Sequence, residues 1–162
     1  MAAIALIHDA AAAAGRPDSS DTLVEAAAIA ATLGELGHET VIVPVGLDLA
    51  ALERRLVELE PLAVFNLVES LEGRGRLLHL PAAVVESLRL PLTGCSSSAL
   101  ALASHKVLAK RQLRLAGLPT PAEAGAAGGA DRDARWIVKA VWEHASLGID
   151  DSSVVGAEAL ER

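Results

Sequence analysis

Aromatic side chains are nearly missing from this chain: it has no tyrosine, one phenylalanine (Phe65) and two tryptophans (Trp136 and Trp142) among 162 residues. The core must therefore be aliphatic, built from the Leu, Val, Ile and Ala that dominate its 52% hydrophobic fraction. A single cysteine, Cys95, excludes an internal disulfide and fits a reducing compartment. It reads as a small packed residue beside Gly94, because no histidine close in sequence would activate it. One cysteine and five scattered histidines supply no metal-cluster spacing. Runs of like charge are also lacking, and the formal net charge is -7. Both facts argue against a nucleic-acid partner, which would need lysine and arginine to neutralise phosphates. No apolar stretch approaches the roughly 20 residues that span a bilayer. The apolar start, residues 1–7, has no basic region before it and ends by Asp9. A cytoplasmic protein without a membrane partner is expected.

What the chain does have is alternation of apolar strands with helical patterns. Residues 4–7 form a buried-strand run ending in His8-Asp9, and residues 10–20 read as a loop. Thr22-x-x-Glu25 is a capping-box pattern, opening a helix with the stripe Leu23, Ala27, Ala30, Leu33 and Leu36 that stops at Gly37. Residues 40–45 are a second strand. Asp48 caps a helix with the stripe Leu49, Leu52, Leu56 and Leu59, ended by Pro61. A third strand is expected over 62–68, a helix over 77–88 with Pro81 in its first turn, and a short fourth strand over 90–93. Ser96 to Ser98 offer caps for one long helix over 99–116, which Gly117 and Pro119 stop. The pattern predicts an α/β fold: a small doubly wound parallel sheet over residues 1–117, a Gly/Ala-rich linker over 118–135, and the incomplete start of a further domain over 136–162. In such a sheet the ligand lies beyond the carboxyl ends of the strands. Those ends carry His8, Asp9, Asn66 and Glu69. His8, Asp9 and Glu69 are weak candidates for substrate binding.

The most informative stretch runs from Trp136 to Ile149. An apolar segment delivers Lys139, a short loop with small residues follows, and the chain returns. A lysine on a buried strand needs a partner, because an unpaired ammonium is costly to desolvate. A small-residue loop lets backbone N–H groups approach an anion closely. Together they form a grip for a nucleotide's phosphates.

These pieces resemble the D-alanine–D-alanine ligase family of ATP-grasp carboxylate–amine ligases. The carriers are Val64-Phe65-Asn66, the loop at Gly73-Arg74-Gly75, Leu90-Pro91-Leu92-Thr93-Gly94, Ser104-His105-Lys106, Gly117-Leu118-Pro119 and the segment from Val138-Lys139 to Ile149. The resemblance implies a pre-ATP-grasp domain followed by the truncated start of an ATP-grasp domain, with Lys106 and Lys139 contacting ATP phosphates from different domains. It also implies that Glu143 fills the acidic position of the phosphate-covering loop, Ser146 its second serine and Gly148 its glycine. The cofactors implied are ATP and Mg2+, the partner a small amino-acid or peptide substrate, and the assembly a homodimer by analogy. Family members phosphorylate a carboxylate to an acyl phosphate, and an amine then displaces phosphate. The loop's first serine is Ala145 here, the proline after the second lysine is Ala140, and residues 10–20 hold no glutamate. No catalytic or metal-ligating residue is assigned within the chain. The family's metal carboxylates belong to a later segment, so these 162 residues alone are expected to be inactive. The contrasting expectation is a non-catalytic α/β module that binds a small ligand or a protein.

Overall fold

The computed structural model describes residues 3–10, 17–123, 134–144 and 148–161. They fall into two compact units, Met1–Ala103 and Ser104–Arg162.

The first unit is built on strand β1 (Ile4–Asp9), whose six residues are all buried. It lies between β2 (Thr40–Val45) and β3 (Ala63–Asn66) in a three-stranded parallel sheet of order β2-β1-β3. Ile4 faces Thr40 on one side and Ala63 on the other, and the register holds along both ladders. A strand enclosed on both edges and both faces must be apolar throughout, as Ile4 to Ile7 are. Alternate side chains serve opposite faces. Ile4 and Leu6 pack with Ala26, Ile29, Ala30 and Leu33 of helix α1 (Pro17–Glu35). Ala5 and Ile7 pack with Leu52 and Leu56 of α2 (Leu49–Leu59) and Val85 of α3 (Leu80–Ser87). Helices on both faces make the sheet doubly wound, as the alternating pattern predicts.

α2 follows its sequence signals closely. Asp48 caps it by accepting from the Ala51 N–H at 2.9 Å, Leu52 and Leu56 are buried, and Glu60 ends it in the left-handed region at φ 45°. A β-carbon is strained there, so Glu60→Gly should stabilise the unit by about 0.5–1 kcal/mol in chemical denaturation.

Several elements differ from the sequence reading. α1 starts at Pro17, not at Thr22, because proline's fixed φ suits the first helical position. Its inward face is consequently Ala26, Ile29, Ala30 and Leu33, while Leu36 lies past the helix end and is 69% exposed. The third strand is four residues long, although the Leu67 N–H still donates to the Ile7 carbonyl at 2.9 Å. The fourth strand shrinks to one bridge, Val64 with Leu92, because Pro91 has no N–H to extend a ladder. The helix predicted over 77–88 begins instead with a 3-10 turn at Gly75–Leu77, followed by α3. Cys95 is exposed, not packed.

Ser96 does cap α4 (Ser97–Ser104): its hydroxyl accepts from the Ala99 N–H at 3.3 Å. The Glu86 carboxylate adds a second cap, accepting from the Ser97 N–H at 2.8 Å and the Ser97 hydroxyl at 2.5 Å. The hydroxyl and then the amide of Ser97 hold the Glu86 carboxyl below its ordinary value of 4.5. A depressed folded-state value means the cap is at full strength above 4.5 and is lost as pH falls through the lowered value. A carboxyl-detected NMR titration should therefore show Glu86 titrating at lower pH in the parent than in Ser97→Ala.

The second unit contains α5 (Lys106–Leu115), β4 (Trp136–Ile137) and β5 (Val154–Val155), the two strands pairing antiparallel. Its last turn, Ala157–Glu161, is 3-10. The helix predicted over 99–116 is broken at His105, whose extended backbone (φ −88°, ψ 99°) separates α4 from α5. The apolar segment that delivers Lys139 is strand only as far as Ile137, with one further bond from the Val138 N–H to the Ser153 carbonyl at 2.8 Å.

Candidate functional site

Two places hold the residues singled out from the sequence, one in each unit. In the first, β1 connects through α1 to β2 on one side, while β3 continues toward Leu92 on the other. The carboxyl ends of β1 and β3 thus flank the sheet's topological switch point. His8 and Asp9 close β1 there, 3% and 7% exposed. One Asp9 carboxylate oxygen accepts from the Ser70 hydroxyl at 2.6 Å and the other from the Glu72 N–H at 3.3 Å. Those bonds tie β1 to a tight turn in which Leu71 and Arg74 exchange backbone bonds and Glu72 and Gly73 both take positive φ. Two successive residues of positive φ are the mark of a type I′ turn. The end of β3 is fixed similarly: the Asn66 N–H donates to the Thr93 hydroxyl oxygen, and the Asn66 side-chain oxygen accepts from the Val68 N–H, both at 3.1 Å. Glu69 is exposed. Sequence reasoning missed Ser70 and Glu72, because a contact spanning more than sixty residues leaves no local pattern.

In the second unit the start of α5 is the organising feature. A helix N-terminus has N–H groups with no partner inside the helix. Here the Lys106 N–H donates to the Val141 carbonyl at 3.1 Å, and the Leu108 N–H to His105 Nδ1 at 3.3 Å. The Lys106 ammonium donates to the Glu143 carbonyl. Between those two carbonyls, Trp142 meets the His105 ring edge-on, with centroids 4.4 Å apart and planes at 71°. The structure thus brings Lys106 and Glu143 together, through the backbone of Glu143 and not its carboxylate.

Lys139 lies between the strand and that tie. It is exposed, and among the described residues it has no hydrogen bond or ion pair. The expectation of a lysine on a buried strand does not hold, so desolvation no longer demands a partner for it. Gly148, at φ 70°, is also exposed, and a β-carbon there would meet nothing within 4 Å, so its backbone conformation alone favours glycine. Ser146 lies outside the described residues. Two further basic residues of α5 have structural partners: the Lys110 ammonium donates to the Pro121 carbonyl at 3.1 Å, and Arg114 pairs with Glu123 at 3.3 Å. His105 was missed as a cap because an Ala/Leu-rich helical pattern runs straight through it. Among the described residues, no three His, Cys, Asp or Glu side chains gather as a metal-binding group.

No protein-family model matches the chain. Over 100 residues, 62% of the chain, it is 33% identical to a D-alanine–D-alanine ligase of Moorella thermoacetica, covering 30% of that enzyme. Over 106 residues, 65% of the chain, it is 35% identical to a D-alanine–D-alanine ligase of Gloeobacter violaceus, covering 33% of it. The chain is a distant relative of these ligases. An uncharacterised protein of Sinorhizobium fredii, y4sG, is 37% identical over 98 residues, 57% of the chain and 29% of that protein. The matched part spans about a third of the length of each curated relative. Among the described residues no helix is long and apolar enough to cross a membrane.

Proposed function

We propose that this chain supplies the nucleotide-gripping start of a cytoplasmic, homodimeric ATP-dependent ligase that joins a carboxylate to an amine through an acyl phosphate, with a small amino acid or peptide as substrate. In this reading residues 1–117 are the first domain, 118–135 the linker and 136–162 the opening of an ATP-grasp domain. Lys106, Lys139, Ser146 and Gly148 take the ATP phosphates, and Glu143 fills the acidic position of the ATP-covering loop. The relationship to two D-alanine–D-alanine ligases supports the reaction class. The observation that carries the site is the tie between Lys106 and the backbone of residues 141–143, which joins the two lysine motifs in one unit.

ATP fits this lining chemically. Lys139 offers an uncommitted, exposed ammonium, and Lys106 can turn its donors from a carbonyl to a phosphate oxygen that carries full charge. The role of both is to hold the triphosphate and offset its charge; the bound nucleotide supplies the phosphoryl group. Magnesium does not fit the described residues, which hold no carboxylate cluster, and no step is assigned to it. Tryptophan emission tests the reading, because Trp136 and Trp142 flank Lys139 and no tyrosine interferes. MgATP at millimolar levels should change the emission, and Lys139→Ala should weaken the response about tenfold, the loss of one charge-assisted hydrogen bond. Emission that ignores MgATP in both proteins contradicts the site. The chain alone should release no phosphate when given MgATP and D-alanine.

A further inference from the structure

The cap of α5 is a histidine, and that choice makes it sensitive to protons. The Leu108 N–H donates to His105 Nδ1 at 3.3 Å. A backbone N–H can only donate, so Nδ1 holds a lone pair and the neutral ring carries its proton on Nε2. The usual caps, Asp, Asn, Ser and Thr, keep an acceptor at any pH near neutral. Histidine gives its acceptor up on taking a proton, between about pH 5 and 8. The protonated ring would turn an N–H against the Leu108 N–H. It would also put a cation at the positive end of a helix, beside the Lys106 ammonium. An indole ring attracts a cation, but that attraction gives the Leu108 N–H no new acceptor.

The same ring holds the facing segment. It meets Trp142 at 4.4 Å between centroids, and the two bonds from Lys106 reach the carbonyls on either side of that tryptophan. The ring is half-buried, so solvent protons reach it. Its charged and titratable neighbours are Lys106 on α5, and Glu143 and His144 on the facing segment; α4, which leads into it, carries none. Among the described residues no carboxylate pairs with His105, so nothing offsets the lost cap.

We propose that His105 is a proton-operated latch: neutral, it fastens the first turn of α5 to residues 141–143, and protonated, it lets that tie open. The latch needs the neutral ring, so its contribution is complete at mildly alkaline pH and is lost as pH falls through the titration of His105. Losing a helix cap shifts the balance between the closed and open tie by roughly fivefold. The inference goes beyond the ligase reading and does not rest on it, because no nucleotide enters it.

Nitrogen-15 NMR of the whole chain, without ligand, tests it. At pH 8 the His105 ring should show a bare Nδ1 and a protonated Nε2. A neutral ring with its proton on Nδ1 overturns the proposal. From pH 8 to pH 5 the amide protons of Leu108 and Lys106 should move upfield as their bonds weaken, with the same midpoint as the His105 ring nitrogens. Amides that stay in place, or that follow another midpoint, overturn it. His105→Asn keeps a capping oxygen that does not titrate. In that variant both amides should hold their parent pH 8 positions down to pH 5. His144→Asn removes the neighbouring histidine and should leave the parent's pH response unchanged. A response that survives in His105→Asn and vanishes in His144→Asn assigns the effect to His144 and refutes the latch. If His105→Asn fails to fold, the midpoints in the parent decide.

Discussion

Ile7→Ala should destabilise the first unit by about 2–5 kcal/mol, the usual cost of removing a fully buried branched side chain and leaving a cavity. Ile7 sits on the central strand, is fully buried, and packs in the cluster that joins the sheet to α2 and α3. That loss is a large share of the 5–15 kcal/mol that holds a typical domain together. Ile42 provides the contrast within the same sheet: it is 46% exposed on the edge strand β2. Ile42→Ala should cost less than about 1 kcal/mol. Far-UV circular dichroism against urea reads both, since the first unit holds no tryptophan. Equal midpoints for the two variants would contradict the burial of β1.

Lys106→Met should loosen the second unit and weaken nucleotide binding together. Ala157 is the single buried apolar residue among its described residues, so packing alone gives little. The link between α5 and residues 141–143 depends on the Lys106 amide, the Lys106 ammonium and the His105–Trp142 contact. Methionine keeps the amide and the length of the side chain but removes the charged donor, a bond worth about 1.5–3 kcal/mol. Trp142 is half-buried, and its emission should move to the red as the tie opens. The MgATP response should fall by at least roughly tenfold. Emission identical to the parent would show that the ammonium does not hold this segment.

Where local signals and tertiary contacts agreed, the fold was legible in the sequence. α2 is the clearest case, with an Asp48 cap, a stripe at helical spacing and a proline after its end. β1 and β2 were legible as apolar runs, and the doubly wound arrangement followed from their alternation with helices. The errors fall where a competing local signal or a long-range contact decides. Thr22 and Glu25 match a capping box, yet Pro17 starts the helix earlier. Alanine and leucine favour helix on both sides of His105, but the chain breaks there, where the Lys106 amide bonds to Val141, thirty-five residues on. Of the proposed nucleotide residues, the pairing of Lys106 with Glu143 was not legible, because it uses a carbonyl, which every residue has. The ties from Asp9 to Ser70 and Glu72 were hidden for the same reason of distance.

The chain has three lysines, Lys106, Lys110 and Lys139, which makes amine labelling a direct test of the central claim. The account predicts that MgATP slows modification of Lys106 and Lys139 by an amine-reactive reagent, read by mass spectrometry of the peptides. Lys110, committed to the carbonyls of Pro121 and Ala122, should react at the same rate with and without nucleotide. Lys139 modified equally fast in saturating MgATP would contradict the account.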